Sequence, residues 1–104
     1  MEIDPNYADA YYNRGKARTD LSDREGAIAD YTRAIELNPN LADAYGNRGI
    51  LLYNMRDKQG AIADLQKAAD LFQKQGNQDS YQKTLNLLRQ LQAKNNRTLS
   101  ISQS

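Results

Sequence analysis

The sequence predicts an all-α fold made of repeated helix pairs, and three observations carry that expectation. First, the chain writes one stretch twice. Shifted by 34 residues, Pro5-Asn6 falls on Pro39-Asn40, Ala8 to Tyr11 on Ala42 to Tyr45, Asn13 to Gly15 on Asn47 to Gly49, and Gly26 to Asp30 on Gly60 to Asp64. With Asp23 on Asp57, Ala34 on Ala68 and Leu37 on Leu71, 17 of 34 pairs are identical, where average composition gives roughly two. Second, apolar residues recur inside each copy at helical spacing. Third, neither copy holds an internal proline or a β-branched run long enough to argue for a strand.

The elements follow in order. Met1 to Tyr7 contains Glu2-Ile3-Asp4-Pro5-Asn6, which parallels Glu36-Leu37-Asn38-Pro39-Asn40, so residues 1–7 read as the tail of a preceding, truncated repeat. The first full repeat spans residues 8–41 and the second 42–75. Asn6 and Asn40 are expected to cap the first helix of each pair, with Asp9 and Asp43 three residues later facing the positive helix end. In the second copy Tyr45, Gly49 and Leu52 recur at i, i+4 and i+7, with Leu51 and Met55 beside them. Asp23 and Asp57 are the expected caps of the second helices. Their stripes are Ala27, Ile28, Tyr31, Ala34 and Ile35 in one copy, and Ala61, Ile62, Leu65, Ala68, Ala69 and Phe72 in the other. Pro39 ends the first pair.

After Leu71 the pattern changes. Gln73 stands where a second closing proline would recur, so the fourth helix is expected to run to about Gln75 and to stop at Gly76-Asn77. A fifth helix is expected from about Asp79 to Lys94, within a segment 78–94, with Tyr81, Leu85, Leu88 and Leu91 on one stripe and a wettable opposite face. That suits a helix covering the open end of a stack. Residues 95–104 are polar and serine-rich, and disorder is expected there.

Composition narrows the function. The chain has 104 residues and net charge +1, with no cysteine and no histidine. One small domain follows from the length. The charge balance gives no drive toward nucleic acid or an anionic membrane, and neither is expected as a partner. Without cysteine or histidine the commonest nucleophiles, general bases and metal ligands are missing, so no enzyme, metal or cofactor is expected. No apolar run approaches the roughly 18 residues of a membrane span. The chain reads as a soluble, cytoplasmic fragment or small protein.

A 34-residue helix-turn-helix period with an aromatic residue early in the first helix, a glycine four residues on, an alanine opening the second helix and a closing proline resembles the tetratricopeptide repeat (TPR). Here these features are Tyr11, Gly15, Ala27, Ala34 and Pro39, then Tyr45, Gly49, Ala61 and Ala68. The resemblance implies a right-handed solenoid of two TPR repeats and a C-terminal capping helix. Gly15 facing Ala27 and Gly49 facing Ala61 would bring the paired helices close. Two departures stand out. Arg18 replaces the bulky residue found as Leu52 in the second copy, and Ser22 and Arg56 replace the glycine usual between paired helices. The first helix is therefore expected to pack least well.

The resemblance also implies a function, that of a protein-interaction scaffold holding a partner peptide or helix in a concave groove lined by the first helix of each pair. Carried onto this chain, the groove residues are Tyr12, Asn13, Lys16, Asn47, Ile50, Tyr53, Asn54 and Lys83, with Asp9, Asp20, Asp43 and Asn86 nearby. Asn13 and Asn47 head that set because a carboxamide both donates and accepts and can hold a peptide backbone. The competing reading pairs each asparagine with a neighbour inside the stack. Tyr12 and Tyr53 equally suit interface anchors or stacking between adjacent first helices. Some TPR domains clamp the C-terminal carboxylate of heat-shock chaperones. Asn47 and Lys83 match two such positions, but Tyr12, Lys16 and Asp79 depart from the pattern, so this activity is not expected. Arg14 and Arg48 are expected to cover apolar surface and bond carbonyls. The repeated Asp30 and Asp64 are expected at helix N-termini and on solvated faces. The alternative function is structural, a homo-oligomer formed through exposed solenoid ends or swapped helices.

Overall fold

The computed structural model describes residues 5–103, and the side chains of residues 7–93. Among the described residues five helices follow one another: α1 (Pro5–Asp20), α2 (Arg24–Leu37), α3 (Ala42–Asn54), α4 (Lys58–Lys74) and α5 (Gln78–Gln103). Each helix packs on the next, so α1–α2 and α3–α4 are the two pairs and α5 lies against α4. Residues 1–4 of the expected preceding repeat lie outside the described residues.

Helix boundaries follow from local chemistry, with two departures from expectation. Asp23 and Asp57 cap α2 and α4 as expected, each carboxylate accepting the backbone N–H of a glycine, Gly26 at 3.0 Å and Gly60 at 2.9 Å. Asn40 does not cap α3. The cap position falls on Leu41, which offers no side-chain bond, and Asn38 instead accepts the Asn40 N–H at 3.1 Å, closing the turn one residue earlier. Asn6 lies inside the first turn of α1, because Pro5 already takes helical geometry there. The second departure is α5, which continues past Lys94 to Gln103, where the sequence reading expects disorder from Asn95. No glycine or proline occurs between Lys94 and Gln103 to break it.

The ends of α1, α3 and α4 share one device. At each, a residue turns to positive φ: Ser22 at 64°, Arg56 at 70° and Gly76 at 74°. The next residue donates its N–H five residues back, Asp23 to Arg18 and Asp57 to Leu52 at 2.8 Å, Asn77 to Phe72 at 2.9 Å. This is the Schellman closure. Asp23 and Asp57 then serve at once as the end of one helix and the cap of the next. Ser22 and Arg56 hold a conformation that suits glycine, at a steric cost of about 1 kcal/mol each.

Between the paired helices small residues set the distance. A Cβ on Gly15 would lie 2.8 Å from Tyr31 Cε1, so the tyrosine ring fills the space expected for Ala27. A Cβ on Gly49 would lie 3.2 Å from the Ala61 carbonyl oxygen and 3.1 Å from Leu65 Cγ. Tyr31 and Leu65 occupy the same repeat position and are the largest side chains fully buried. Ala44 and Leu51 of α3 close over Ala34 and Tyr31 of α2, while Leu88 and Leu91 of α5 cover Ala61, Leu65 and Ala69 of α4. The core is thus a row of helix-helix seams, each buried by the next helix. As expected, α1 is the poorest contributor, burying Ala8 and Gly15 among its described side chains.

Candidate functional site

A groove runs across α1, α3 and α5. Helical spacing puts Asn47, Ile50 and Asn54 on one face of α3, and α1 and α5 supply the flanks. Two cavities meet there. The first, about 200 Å³, lies between α3 and α5 and is lined by Asp43, Asn47, Ile50, Lys83 and Thr84 over an apolar floor that includes Phe72. The second, about 240 Å³, lies between α1 and α3 and is lined by Lys16, Thr19, Asp20, Asn47, Ile50 and Asn54. Asn47 and Ile50 border both. Ile50 is 43% exposed on the ridge between them, an apolar side chain held in water with polar groups on either side.

The expected site residues divide into two groups. Lys16, Asn47, Ile50, Asn54 and Lys83 come together as cavity-lining residues. Tyr12 stands beside the groove, its ring 5.7 Å from that of Tyr31 and its hydroxyl accepting from Asn47 Nδ2 at 3.2 Å. That bond crosses from one repeat to the next, so one amide hydrogen of Asn47 is engaged within the stack, and the residue also lines both cavities. Burial, and then the nearby Asp43 carboxylate, push the Tyr12 phenol above its ordinary pKa, which keeps the hydroxyl protonated at neutral pH. Lys16 Nζ lies 5.5 Å over the Tyr12 ring. Tyr53 and Asn13 line neither cavity. Tyr53 packs into the seam with Leu65 and Leu88. Asn13 is exposed on α1, with no described repeat ahead of it to supply the partner that Tyr12 gives Asn47.

The repeated charges act differently from expectation. Asp30 and Asp64 are 2% and 7% exposed rather than solvated. Each is gripped by the arginine sixteen residues earlier. Arg14 donates to Asp30 at 2.9 and 2.7 Å, and Arg48 to Asp64 at 2.7 and 2.8 Å. These are two-pronged guanidinium-carboxylate bonds that tie the first helix of each pair to the second. The hydrogen bonds from Arg14 hold the Asp30 carboxyl below the usual carboxylate range against the opposing effect of burial. Arg18 adds a third charge, 3.5 Å from Asp30. The sequence held the signal, since Arg-x15-Asp recurs at the 34-residue period, but spacing across two helices does not say which side chains meet.

Among the described residues no three His, Cys, Asp or Glu side chains gather as a metal site, and no helix is long and apolar enough to cross a membrane. The groove offers binding chemistry: an apolar ridge, carboxamides, hydroxyls, and a lysine and an aspartate toward each end.

Comparison with known proteins agrees with this architecture. Two tetratricopeptide repeat family profiles match, over residues 8–41 and 30–63, together more than half of the chain. The first coincides with the expected first repeat. A tetratricopeptide repeat domain protein from Salinibacter ruber superposes with TM-score 0.78 at 16% identity, over 86% of this chain and 91% of that one. The TPR2B domain of yeast Sti1, solved as a complex with pHsp70, superposes with TM-score 0.78 at 27% identity, over 86% of this chain and 72% of that one. The first TPR of Spaghetti (RPAP3), bound to an HSP90 peptide, superposes with TM-score 0.62 at 16% identity, over 99% and 96%. Among curated proteins none matches the chain.

Proposed function

The chain belongs to the tetratricopeptide repeat family, and from that premise we propose that it is a protein-interaction module whose α1–α3–α5 groove holds an extended segment of a partner protein. The observation that carries this reading is Ile50, 43% exposed between two cavities and flanked by Asn47, Asn54 and Lys83. A partner side chain covering Ile50 removes apolar surface from water, and Asn47 and Asn54 supply hydrogen bonds to its backbone. The yeast Sti1 domain, solved as a complex with pHsp70, supports a protein-binding role for this fold. Lys16 and Lys83 sit one at each end of the groove, each with an aspartate lining the same cavity, Asp20 and Asp43. The ligand is therefore read as an internal segment, not one that must end in a free carboxylate.

Selection of peptides from a displayed random library against the chain tests this. Ile50→Asp and Lys83→Glu leave the helix seams untouched and are expected to abolish capture of the selected peptides, whereas Asn13→Ala leaves it intact. Retained binding by Ile50→Asp defeats the groove assignment. Amidating the peptide C-terminus is expected to leave affinity within twofold. The other reading, self-association through solenoid ends or swapped helices, draws on the exposure of Tyr7 and Leu21 at the two ends of α1.

A further inference from the structure

Gly46 is a glycine that packing does not explain. Glycine costs stability inside a helix, and at Gly15 and Gly49 the close approach of a neighbouring helix accounts for it. A Cβ on Gly46 would meet Ala68 Cβ at 3.8 Å, an ordinary contact. The residue lines the cavity of about 200 Å³ between α3 and α5. Its copy one period earlier is Tyr12. There the ring lies 5.7 Å from that of Tyr31, and the hydroxyl accepts from Asn47 of α3 at 3.2 Å. Corresponding surroundings recur around Gly46. Leu65, the copy of Tyr31, lines the α3–α5 cavity together with Phe72. Asp43, Asn47 and Ile50 of α3 and Ser80, Thr84 and Leu87 of α5 line its two sides. Each trio is spaced by four and then three residues, so Thr84 stands on α5 where Asn47 stands on α3. Thr84 is 8% exposed and donates its hydroxyl hydrogen to the Ser80 carbonyl at 2.7 Å, which leaves its oxygen as an acceptor. The first repeat fills this seat with its own tyrosine, and the second leaves it open.

We propose that this cavity is a subsite for one tyrosine side chain of the partner segment, a role that rests on the groove reading and names the residue the groove selects. A ring seated there packs on Leu65 and Phe72 as the Tyr12 ring packs on Tyr31, and its hydroxyl donates to Thr84 Oγ1. Size agrees. An apolar cavity of roughly 150 Å³ takes up benzene, so about 200 Å³ between α3 and α5 admits a phenol ring. Tyrosine is favoured over phenylalanine because the buried Thr84 oxygen gains a donor. Aliphatic side chains supply neither the flat ring nor the donor. Ile50 borders the same cavity, so a segment that covers Ile50 brings its neighbouring side chains to the seat. Gly46 is the specificity-determining residue, since a large side chain at that position takes the seat in place of the partner.

Titrating the full chain with p-cresol, the tyrosine side chain as a free molecule, tests the subsite without a partner. Backbone amide shifts in NMR are expected at Gly46, Thr84 and Leu87 and not at Lys16 or Thr19, with a dissociation constant on the order of 1 mM. Toluene, which lacks the hydroxyl, is expected to bind several-fold more weakly. Thr84→Val removes the acceptor at nearly constant volume and is expected to bring p-cresol down to the toluene level while toluene itself is unaffected. Gly46→Tyr copies the first repeat. It is expected to abolish the p-cresol shifts and to weaken capture of the library-selected peptides at least tenfold, and Gly46→Ala to weaken both by a smaller factor. Tyrosine is expected at one aligned position among the selected peptides. Absence of shifts at Gly46 and Thr84 in the native chain, equal binding of p-cresol and toluene, or p-cresol binding unchanged by Gly46→Tyr would each overturn the subsite. Selected peptides that depend on Ile50 but carry no aligned tyrosine overturn the choice of side chain and leave the groove standing. Localised p-cresol shifts that Gly46→Tyr removes, together with peptide capture that Ile50→Asp retains, defeat the groove and leave the subsite standing.

Discussion

α1–α2 and α3–α4 share half of their residues, and the half that differs is concentrated where the pairs meet different neighbours. Every position from Lys16 to Ser22 differs from its copy between Ile50 and Arg56. In α3, which has helices on both sides, that run includes Ile50, Leu51, Leu52 and Tyr53; in α1 it is Lys16, Ala17, Arg18 and Thr19. The seam inside each pair has been rebalanced rather than lost. The first pair sets Tyr31 against Gly15 and a nearby Thr19, whose hydroxyl lies 3.4 Å from that of Tyr31; the second sets Leu65 against Gly49, with Tyr53 in the same seam. A bulky ring is supplied once per pair, from opposite helices. The template fixes where the helices cross, and the neighbours decide how each position is filled.

Charge follows the same division. Among the described residues Asp64 pairs with Arg48, while Asp30 has Arg14 and, at 3.5 Å, Arg18. The largest expected contrast comes from removing these arginines. Arg48→Met leaves the buried Asp64 carboxylate unpaired and is expected to destabilise the fold by about 3 kcal/mol in urea unfolding. Arg14→Met is expected to cost clearly less, and Arg14→Met with Arg18→Met together more than the two separately. Equal losses from Arg48→Met and Arg14→Met would erase the distinction.

Next come the glycines. Gly15→Ala puts a methyl 2.8 Å from the enclosed Tyr31 ring, and Gly49→Ala places one 3.2 Å from a backbone oxygen. Each gains roughly 1 kcal/mol of helix propensity. The clash is expected to prevail at Gly15, for a net loss of about 1–2 kcal/mol, and the effect at Gly49 to be smaller; thermal unfolding ranks the two. Ser22→Gly and Arg56→Gly act in the opposite direction. Each relieves a positive φ and is expected to stabilise by about 1 kcal/mol, raising the melting temperature by a few degrees. A fall in melting temperature for both would show that the turns are not strained.

Acid gives the finest contrast. Asp30 has a folded-state pKa lower than its unfolded value near 3.9, so its pairing contributes stability in full above that value and loses it as pH falls through the folded pKa. Stability followed from pH 6 to pH 2 is expected to decline mainly below about pH 4, and Asp30→Asn to shallow that decline. Among native amides, those of α1 are expected to exchange faster than those of α3, because among the described residues α3 is packed between α2 and α4 while α1 packs mainly on α2.

Much of this was legible beforehand. The period, the helix pairs, the Asp23 and Asp57 caps and the break at Gly76 follow from residue types at fixed offsets, because capping and helical spacing are local, whereas the groove set Lys16, Asn47, Ile50, Asn54 and Lys83 came only from the family resemblance. Other features were not. Tyr53 shares its helix face with groove candidates, and its place in the seam with Leu65 depends on how α3 rolls against α4. Asn47 and Tyr12 are 35 residues apart and meet through inter-repeat packing. Asp30 and Asp64 look like ordinary surface carboxylates until the second helix of each pair is laid against the first.

The sequence by itself determined a repeated helix pair and its relation to the tetratricopeptide repeats, since those rest on periodicity and short-range hydrogen bonding. Only the tertiary structure decided which side chains are tied to partners within the fold and which stay exposed. Arg14 and Arg48 are held by buried aspartates and Tyr12 by Asn47, while Ile50 and Lys83 are exposed beside the cavities. The physical reason is that burial belongs to pairs of surfaces, and one strand of sequence shows only one surface of each pair.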